Sequence, residues 1–219
     1  MRSILIATSN AGKAREFREM LGSGAGGAFQ WTDLSQHPTA EPVEETGSTF
    51  LANACLKAAG YARQFSTWAL ADDSGLEVDA LNGSPGVHSA RWAMLNDAGE
   101  GDAANNALLL KQIDAVADER RTGRFVCVLA LADPGGRIIL TARDAVEGRI
   151  LRSPRGANGF GYDPLFYVEA MGRTTAELSP DEKHAISHRG KALRRMRGLM
   201  ERVGLVGEVT RCQGDKVTR

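Results

Sequence analysis

Two apolar runs, Phe125 to Ala132 and Arg137 to Thr141, flank the concentrated turn signal Asp133-Pro134-Gly135-Gly136 and commit this part of the chain to a β-hairpin. Its arms are long and largely apolar. Around the hairpin the punctuation is that of an α/β protein. Ile4 to Ala7 is a short apolar run followed by Thr8-Ser9-Asn10, polar residues suited to capping a helix. Ala14, Phe17 and Leu21 then share one helical face, up to the glycine-rich stretch Gly22 to Gly27. Phe50, Leu51, Ala54, Cys55, Ala58, Ala62 and Phe65 outline a second amphipathic helix whose small residues favour close packing. Trp68 to Ala71 reads as a buried strand ending in Asp72-Asp73-Ser74-Gly75, and Leu108, Leu109, Ile113 and Val116 mark a third helix. The clearest helix start is Ser179-Pro180-Asp181-Glu182, with Ser as N-cap, Pro at the first position and Glu at the third. That helix is expected to run to about Val203.

The chain of 219 residues is long enough for a substantial core, and its composition, 42% hydrophobic and 25% charged, is that of a globular protein. Lys plus Arg and Asp plus Glu both number 27, so no overall basic field exists to hold a long nucleic acid or an anionic membrane. A small anionic ligand needs only a local cluster of cations. Cys55, Cys127 and Cys212 lie far apart without metal-ligand spacing, and the apolar run from Met1 to Ala7 is too short for a signal peptide or membrane span. A cytoplasmic, reducing location is expected. Neither repeats nor an interdomain linker are visible, so residues 1–206 are expected to form one domain and residues 207–219, which lack apolar periodicity, a loose tail.

Four groups of residues carry the candidate chemistry. Thr8-Ser9-Asn10-Ala11-Gly12-Lys13 combines a helix N-terminus with a hydroxyl, an amide and an ammonium, a set that can hold phosphate oxygens but lacks Walker A spacing. The alternative is an ordinary N-cap and a solvated lysine. Glu44-Glu45 and Asp72-Asp73 are paired acids on separate elements, and such hard oxygen ligands suit a magnesium ion, or they are simply solvated. Ser153 to Asp163 contains Gly156, Gly159, Gly161, Phe160 and Tyr162 and cannot be a regular helix or central strand. It reads as a loop that grips a planar ring such as a nucleobase, or as a surface turn with both aromatics folded into the core. Lys183, His184, Ser187, His188, Arg189 and Lys191 form a basic set in the last helix, where Gly190 costs about 1 kcal/mol against alanine and points to a close backbone approach or a break.

These groups also carry a resemblance. Ile-Ala-Thr-Ser-Asn-Ala-Gly-Lys at the start, Glu44-Glu45-Thr46-Gly47-Ser48-Thr49-Phe50, Ala71-Asp72-Asp73-Ser74-Gly75-Leu76, Pro85-Gly86-Val87-His88-Ser89-Ala90-Arg91, Gly159-Phe160-Gly161-Tyr162-Asp163-Pro164 and Ser187-His188-Arg189-Gly190-Lys191-Ala192 occur in this order. The chain thereby resembles the inosine triphosphate pyrophosphatase family, the non-standard purine nucleoside triphosphate pyrophosphatases acting on dITP, ITP and XTP. The resemblance spans about Ile4 to Leu199. It implies an α/β fold with a mixed, twisted sheet, flanking helices, two lobes around a central nucleotide-binding cleft, and a homodimer.

Carried over residue by residue, the resemblance assigns Thr8, Ser9, Asn10, Ala11, Gly12 and Lys13 to the triphosphate, Asp73 to the catalytic base and the metal, and Ser74 to the substrate. Phe160, Gly161, Tyr162, Asp163, Lys183, His188 and Arg189 fall to the nucleotide. Glu45 is favoured as the second acid at an Mg²⁺ ion, although sequence does not separate it from Glu44, and Lys57 could add a phosphate contact. Arg189 and Lys183 are donors without acceptor capacity and so suit a purine 6-keto oxygen. Two rivals remain: a Maf-type pyrophosphatase for modified pyrimidine nucleotides, and a non-catalytic nucleotide-binding regulator. The paired acids argue against the regulator, and the Phe160 to Asp163 and Ser187 to Arg189 motifs against the Maf type.

Overall fold

The computed structural model describes residues 2–21 and 29–205. The glycine-rich stretch Gly22 to Gly27, the expected tail at 207–219 and Cys212 lie outside the described residues. A single seven-stranded mixed sheet has the order β2-β1-β3-β4-β5-β6-β7. β1 (Arg2–Ile6) pairs in parallel with β2 (Phe29–Asp33) and with β3 (Trp68–Val78). From β3 onward every pairing is antiparallel, through β4 (Thr122–Ala132), β5 (Ile138–Ile150), β6 (Phe166–Val168) and β7 (Arg173–Thr174). The hairpin read from the sequence is β4–β5, with both arms longer than their apolar runs because pairing continues through polar positions that face outward.

Strand alternation distributes the core to two faces. Cys127, Leu129 and Leu131 pack with Ile4, Ile6 and Leu70 against Phe17 of α1 (Ala11–Leu21) and Ala192, Leu193 and Met196 of α5 (His188–Arg202). Val126, Val128, Ala130 and Ala132 turn the other way. They meet Leu5, Ala69 and Ala71 under Ala54, Ala58 and Ala62 of α2 (Phe50–Phe65), whose small side chains let the helix lie close to the sheet. A third cluster joins Leu76, Val78 and Phe125 to Leu109 of α3 (Gly101–Gln112) and to Leu165 and Phe166. Each fully buried side chain of Leu or Phe size contributes roughly 1.5–3 kcal/mol.

The sequence reading ended the strand from Trp68 at Ala71, whereas β3 runs on to Val78 with Asp72, Asp73 and Ser74 inside it. The reason lies in its neighbours. β1 stops pairing at Ile6 opposite Leu70, and β3 continues on β4 alone, with Asp72 opposite Leu129 and Asp73 opposite Val128. The acids therefore lie just beyond the end of β1, after Ala71, inside a strand yet beside an open crevice. Because β2 and β3 lie on opposite sides of β1, that crevice is the topological switch point at which open α/β sheets bind ligands. Gly75 is admitted to the strand by a close approach: a Cβ there would overlap Ser89 Oγ and the Gly86 carbonyl.

The expected last helix is two helices. α4 (Pro180–Ile186) starts with the capping box of Ser179 and Glu182, and Ser187 then leaves helical geometry to accept from Gly190 N and cap α5. Gly190 serves both purposes its cost implied, since a Cβ there would collide with the His184 carbonyl at this break. α3 ends at Gln112, short of the expected Ile113 and Val116, which continue the apolar face beyond it.

Candidate active site

Thr8, Ser9 and Asn10 connect the end of β1 to α1. Thr8 Oγ1 accepts from Asn10 N at 3.3 Å, and Asn10 Oδ1 accepts from Lys13 N at 2.9 Å, so Asn10 closes the first turn as its N-cap. Ser9, Asn10 and Ala11 are exposed there. Gly12 lies against the ring of Phe160, where a Cβ would come within 2.8 Å of Cδ1. This brings the helix N-terminus and the glycine-rich loop Asn158 to Asp163 to one wall of a cleft of about 710 Å³.

Successive residues of β3 point to opposite faces, and the two adjacent acids therefore meet different partners. Asp72 faces α1 and α5. Its Oδ2 lies 3.0 Å from Lys13 Nζ and 3.5 Å from Arg189 Nη2, and it accepts from Ser74 Oγ at 3.0 Å. Arg189 Nη2 in turn donates to Ser74 Oγ at 2.8 Å, and Nη1 donates to Glu16. Lys183 Nζ bridges Glu16 Oε1 at 2.7 Å and Asp163 Oδ2 at 2.6 Å, and the same Asp163 oxygen accepts from Phe160 N at 2.9 Å. Lys13, Asp72, Arg189, Glu16, Lys183 and Asp163 thus form one buried chain of alternating charge along the cleft wall. Burial alone would raise both carboxyls, but the cations outweigh it: Lys13 and Arg189 hold Asp72 far below the usual carboxylate range, and Arg189 and Lys183 hold Glu16 at about 2.

Asp73 faces α2. Lys57 Nζ stands 3.2 Å from Asp73 Oδ1 and 2.8 Å from Glu45 Oε2, so two carboxylates from separate elements converge on one cation. Glu44, the neighbour that sequence did not separate from Glu45, is exposed as Glu45 is, but the contact with Lys57 is made by Glu45. Burial pushes the Asp73 carboxyl above its ordinary value, opposed by Lys57 and Lys13 and reinforced by Glu45 and Asp72. Among the described residues there is no cluster of three or more His, Cys, Asp or Glu that would enclose a metal. Two carboxylates beside an open cleft match a magnesium-like cation, which takes one or two carboxylates and completes its shell with water and phosphate.

At the other end His188 stacks on Phe125, centroids 4.9 Å apart, and burial followed by the nearby Arg189 charge pushes its pKa well below 6.5. The imidazole is therefore neutral at pH 7. Phe160 stays in the cleft wall beneath the cations, 5.2 Å from Lys183 Nζ and 5.9 Å from the Arg189 guanidinium carbon. Tyr162 behaves differently. Its ring joins the third core cluster and its hydroxyl donates to the Ser89 carbonyl at 3.0 Å, so one of the two aromatics is folded into the core. Gly161 is pinned from α3, its N–H donating to Asp102 Oδ2 at 2.6 Å and its carbonyl accepting from Asn106 Nδ2 at 2.8 Å.

The Ham1 family model matches residues 4–199. The chain belongs to the Ham1 family. Those bounds coincide with the extent of the resemblance, about Ile4 to Leu199, and enclose all six motifs; the resemblance read from them is borne out. The chain is 50% identical over 197 residues to the dITP/XTP pyrophosphatase of Exiguobacterium sibiricum, covering 90% of this chain and 96% of that protein. It is 49% identical over 196 residues to the dITP/XTP pyrophosphatase of Geobacillus kaustophilus, covering 90% and 93%. The structure of a HAM1 protein from Coxiella burnetii superposes with a TM-score of 0.80 at 41% identity, covering 92% of this chain and all of that one. Within the family fold, the mixed sheet and flanking helices agree with the sequence expectation.

Sequence reasoning missed Glu16 and Asn53. Glu16 follows Lys13 by one helical turn and precedes Phe17, so an acid on the buried side of an amphipathic helix was the available signal. Because the Glu16 pKa is lowered, its carboxylate contributes stability that is fully present above about pH 4.5 and is lost as the pH falls toward 2. Glu16→Gln, which takes one carboxylate from each of Lys183 and Arg189 and leaves them Asp163 and Asp72, is therefore expected to cost about 3–5 kcal/mol at neutral pH. In urea unfolding the gap to the parent protein should narrow as the pH falls below about 4.5. A gap independent of pH would contradict the charge assignment.

Proposed function

We propose that the chain hydrolyses non-standard purine nucleoside triphosphates, dITP, ITP and XTP, to the nucleoside monophosphate and pyrophosphate, and so clears them from the nucleotide pool. The observation that carries this reading is the division of the cleft by β3. On one face lies a cation-rich wall, on the other a pair of carboxylates with a lysine. A triphosphate needs both: positive groups to hold its oxygens, and an acid able to orient water. The dITP/XTP pyrophosphatase names of relatives near 50% identity support the same substrate class.

In this reading the N-terminus of α1, from Thr8 to Lys13, binds phosphate oxygens, and Lys57 adds a second ammonium from α2. Asp73 and Glu45 would hold Mg²⁺, which supplies charge neutralisation and polarises the phosphoryl group when bound. Asp73 orients a water molecule and takes its proton as the water attacks the α-phosphorus. The bond to the bridging oxygen breaks and pyrophosphate leaves. Phe160 supports the purine ring, with Gly161, Asp163 and Ser74 shaping the pocket around it, Tyr162 backing it from the core, and neutral His188 beneath. Arg189 and Lys183 present N–H groups to the 6-keto oxygen, which the 6-amino group of adenine cannot satisfy. The protein acts as a homodimer in the cytoplasm, and no helix among the described residues is long and apolar enough to cross a membrane.

Asp73→Asn is expected to remain folded and to lower ITP turnover by at least about a hundredfold, because an amide cannot serve as the base and binds a cation more weakly. Near-normal turnover in the folded variant would contradict the assignment. At the base end, Arg189→Ala should cost roughly 1–3 kcal/mol in kcat/KM for ITP and little for ATP, so that the ratio of the two activities collapses. Equal losses on both nucleotides would place Arg189 at the phosphates instead.

A further inference from the structure

On the α2 side of the sheet one buried polar side chain has no part in the chemistry above. Asn53, in the first turn of α2, is 1% exposed, and both ends of its carboxamide are engaged. Nδ2 donates to Asp73 Oδ2 at 3.2 Å, and Oδ1 accepts from the Gly47 N–H at 2.8 Å. Gly47 lies two residues past Glu45, on the extended segment that leads into α2. A Cβ on residue 47 would stand 2.6 Å from Ala52 Cβ and 2.7 Å from Asn53 Oδ1, so the backbone comes this close only because the residue is glycine. Upstream the same segment is fastened to α2 by Glu41, whose N–H and carbonyl bond Gln64 at 3.1 and 2.9 Å. Val43 also packs into the space left by Gly60. Lys57, one turn beyond Asn53, takes the other Asp73 oxygen together with Glu45.

We propose that Asn53 is a positioning residue. Its carboxamide ties the Glu45 segment to Asp73, sets the separation of the two carboxylates, and turns Asp73 so that Oδ1 faces Lys57 and Glu45. A carboxamide suits the task because it donates and accepts at once, which neither a carboxylate nor an apolar side chain of similar size can do. Buried amides need partners in any protein. What separates Asn53 from that general requirement is that both partners belong to the elements carrying the reacting acids, which lie 28 positions apart. Residues that orient carboxylates in this way set the affinity of a cation site without touching the cation. The inference rests on the roles proposed for Asp73 and Glu45.

The test compares the parent protein, Asp73→Asn, Asn53→Leu and Gly47→Ala. Three quantities are measured: Mn²⁺ affinity without nucleotide, followed by the paramagnetic signal of the free ion; IMP affinity; and kcat with ITP. Asn53→Leu is expected to weaken Mn²⁺ binding and to lower kcat, each by roughly 10- to 100-fold. IMP affinity should stay at the parent value, because the Phe160 and Lys183 end of the cleft is built on the opposite face of β3. Gly47→Ala, which displaces the segment and leaves Asn53 in place, should move the same two quantities in the same direction, and it carries the test if Asn53→Leu does not fold. Parent-like Mn²⁺ affinity and kcat in a folded Asn53→Leu protein would overturn the inference, as would a loss of IMP binding in step with them, the mark of general damage. Full turnover in Asp73→Asn would overturn the proposed function and this inference together. Inactive Asp73→Asn beside silent Asn53→Leu would remove the inference alone.

Discussion

The site depends on one geometric fact, that neighbouring residues of a strand point to opposite faces of its sheet. Asp72 and Asp73 are adjacent in sequence and differ in every contact they make. Asp72 sits among Lys13, Ser74 and Arg189, whereas Asp73 meets Asn53 and Lys57. An isolated carboxylate taken out of water costs far more than a fold of this size has to spare. Each acid is accordingly paired with cations from a different layer, and the helices α1, α2 and α5 are fixed against the sheet by charge as well as by apolar packing.

The two settings suit different tasks. Asp72 is fully buried with Lys13 and Arg189 at one oxygen, and its depressed pKa keeps it an anion at any working pH, an anchor for both cations. Asp73 is raised by burial and by the carboxylate of Glu45, which makes it the more basic of the pair. Environments that push two carboxyls apart in this manner fit the proposed division between an anchoring acid and a reacting one. The same logic keeps His188, stacked on Phe125, neutral, because a second positive charge beside Arg189 would be costly.

Much of this was legible in the chain. The α2 helix begins at Phe50 behind Thr49, and the β4–β5 hairpin lies where apolar runs and a Pro-Gly turn placed it. Residues picked out by the ordered motifs, Thr8, Ser9, Asn10, Lys13, Asp73, Phe160, Lys183 and Arg189, line one cleft. The failures have local causes. Asp72-Asp73-Ser74-Gly75 has the composition of a turn, and nothing in sequence reveals that β1 ends opposite Leu70 or that Gly75 makes room for Ser89. The strands β2, β6 and β7 are too short to show a period. Glu16 and Asn53 sit on helices whose apolar faces were read correctly, but their partners lie as far as 173 and 20 positions away, a tertiary fact that no local pattern encodes.

The central claim is that water held at the Asp73 face attacks the α-phosphorus. Hydrolysis of ITP in ¹⁸O-labelled water, with the products resolved by mass spectrometry, tests it directly. One labelled oxygen is expected in the phosphate of IMP, with unlabelled pyrophosphate. Label in pyrophosphate would place the attack at the β-phosphorus, and release of IDP with labelled phosphate would place it at the γ-phosphorus. Either result would contradict the account.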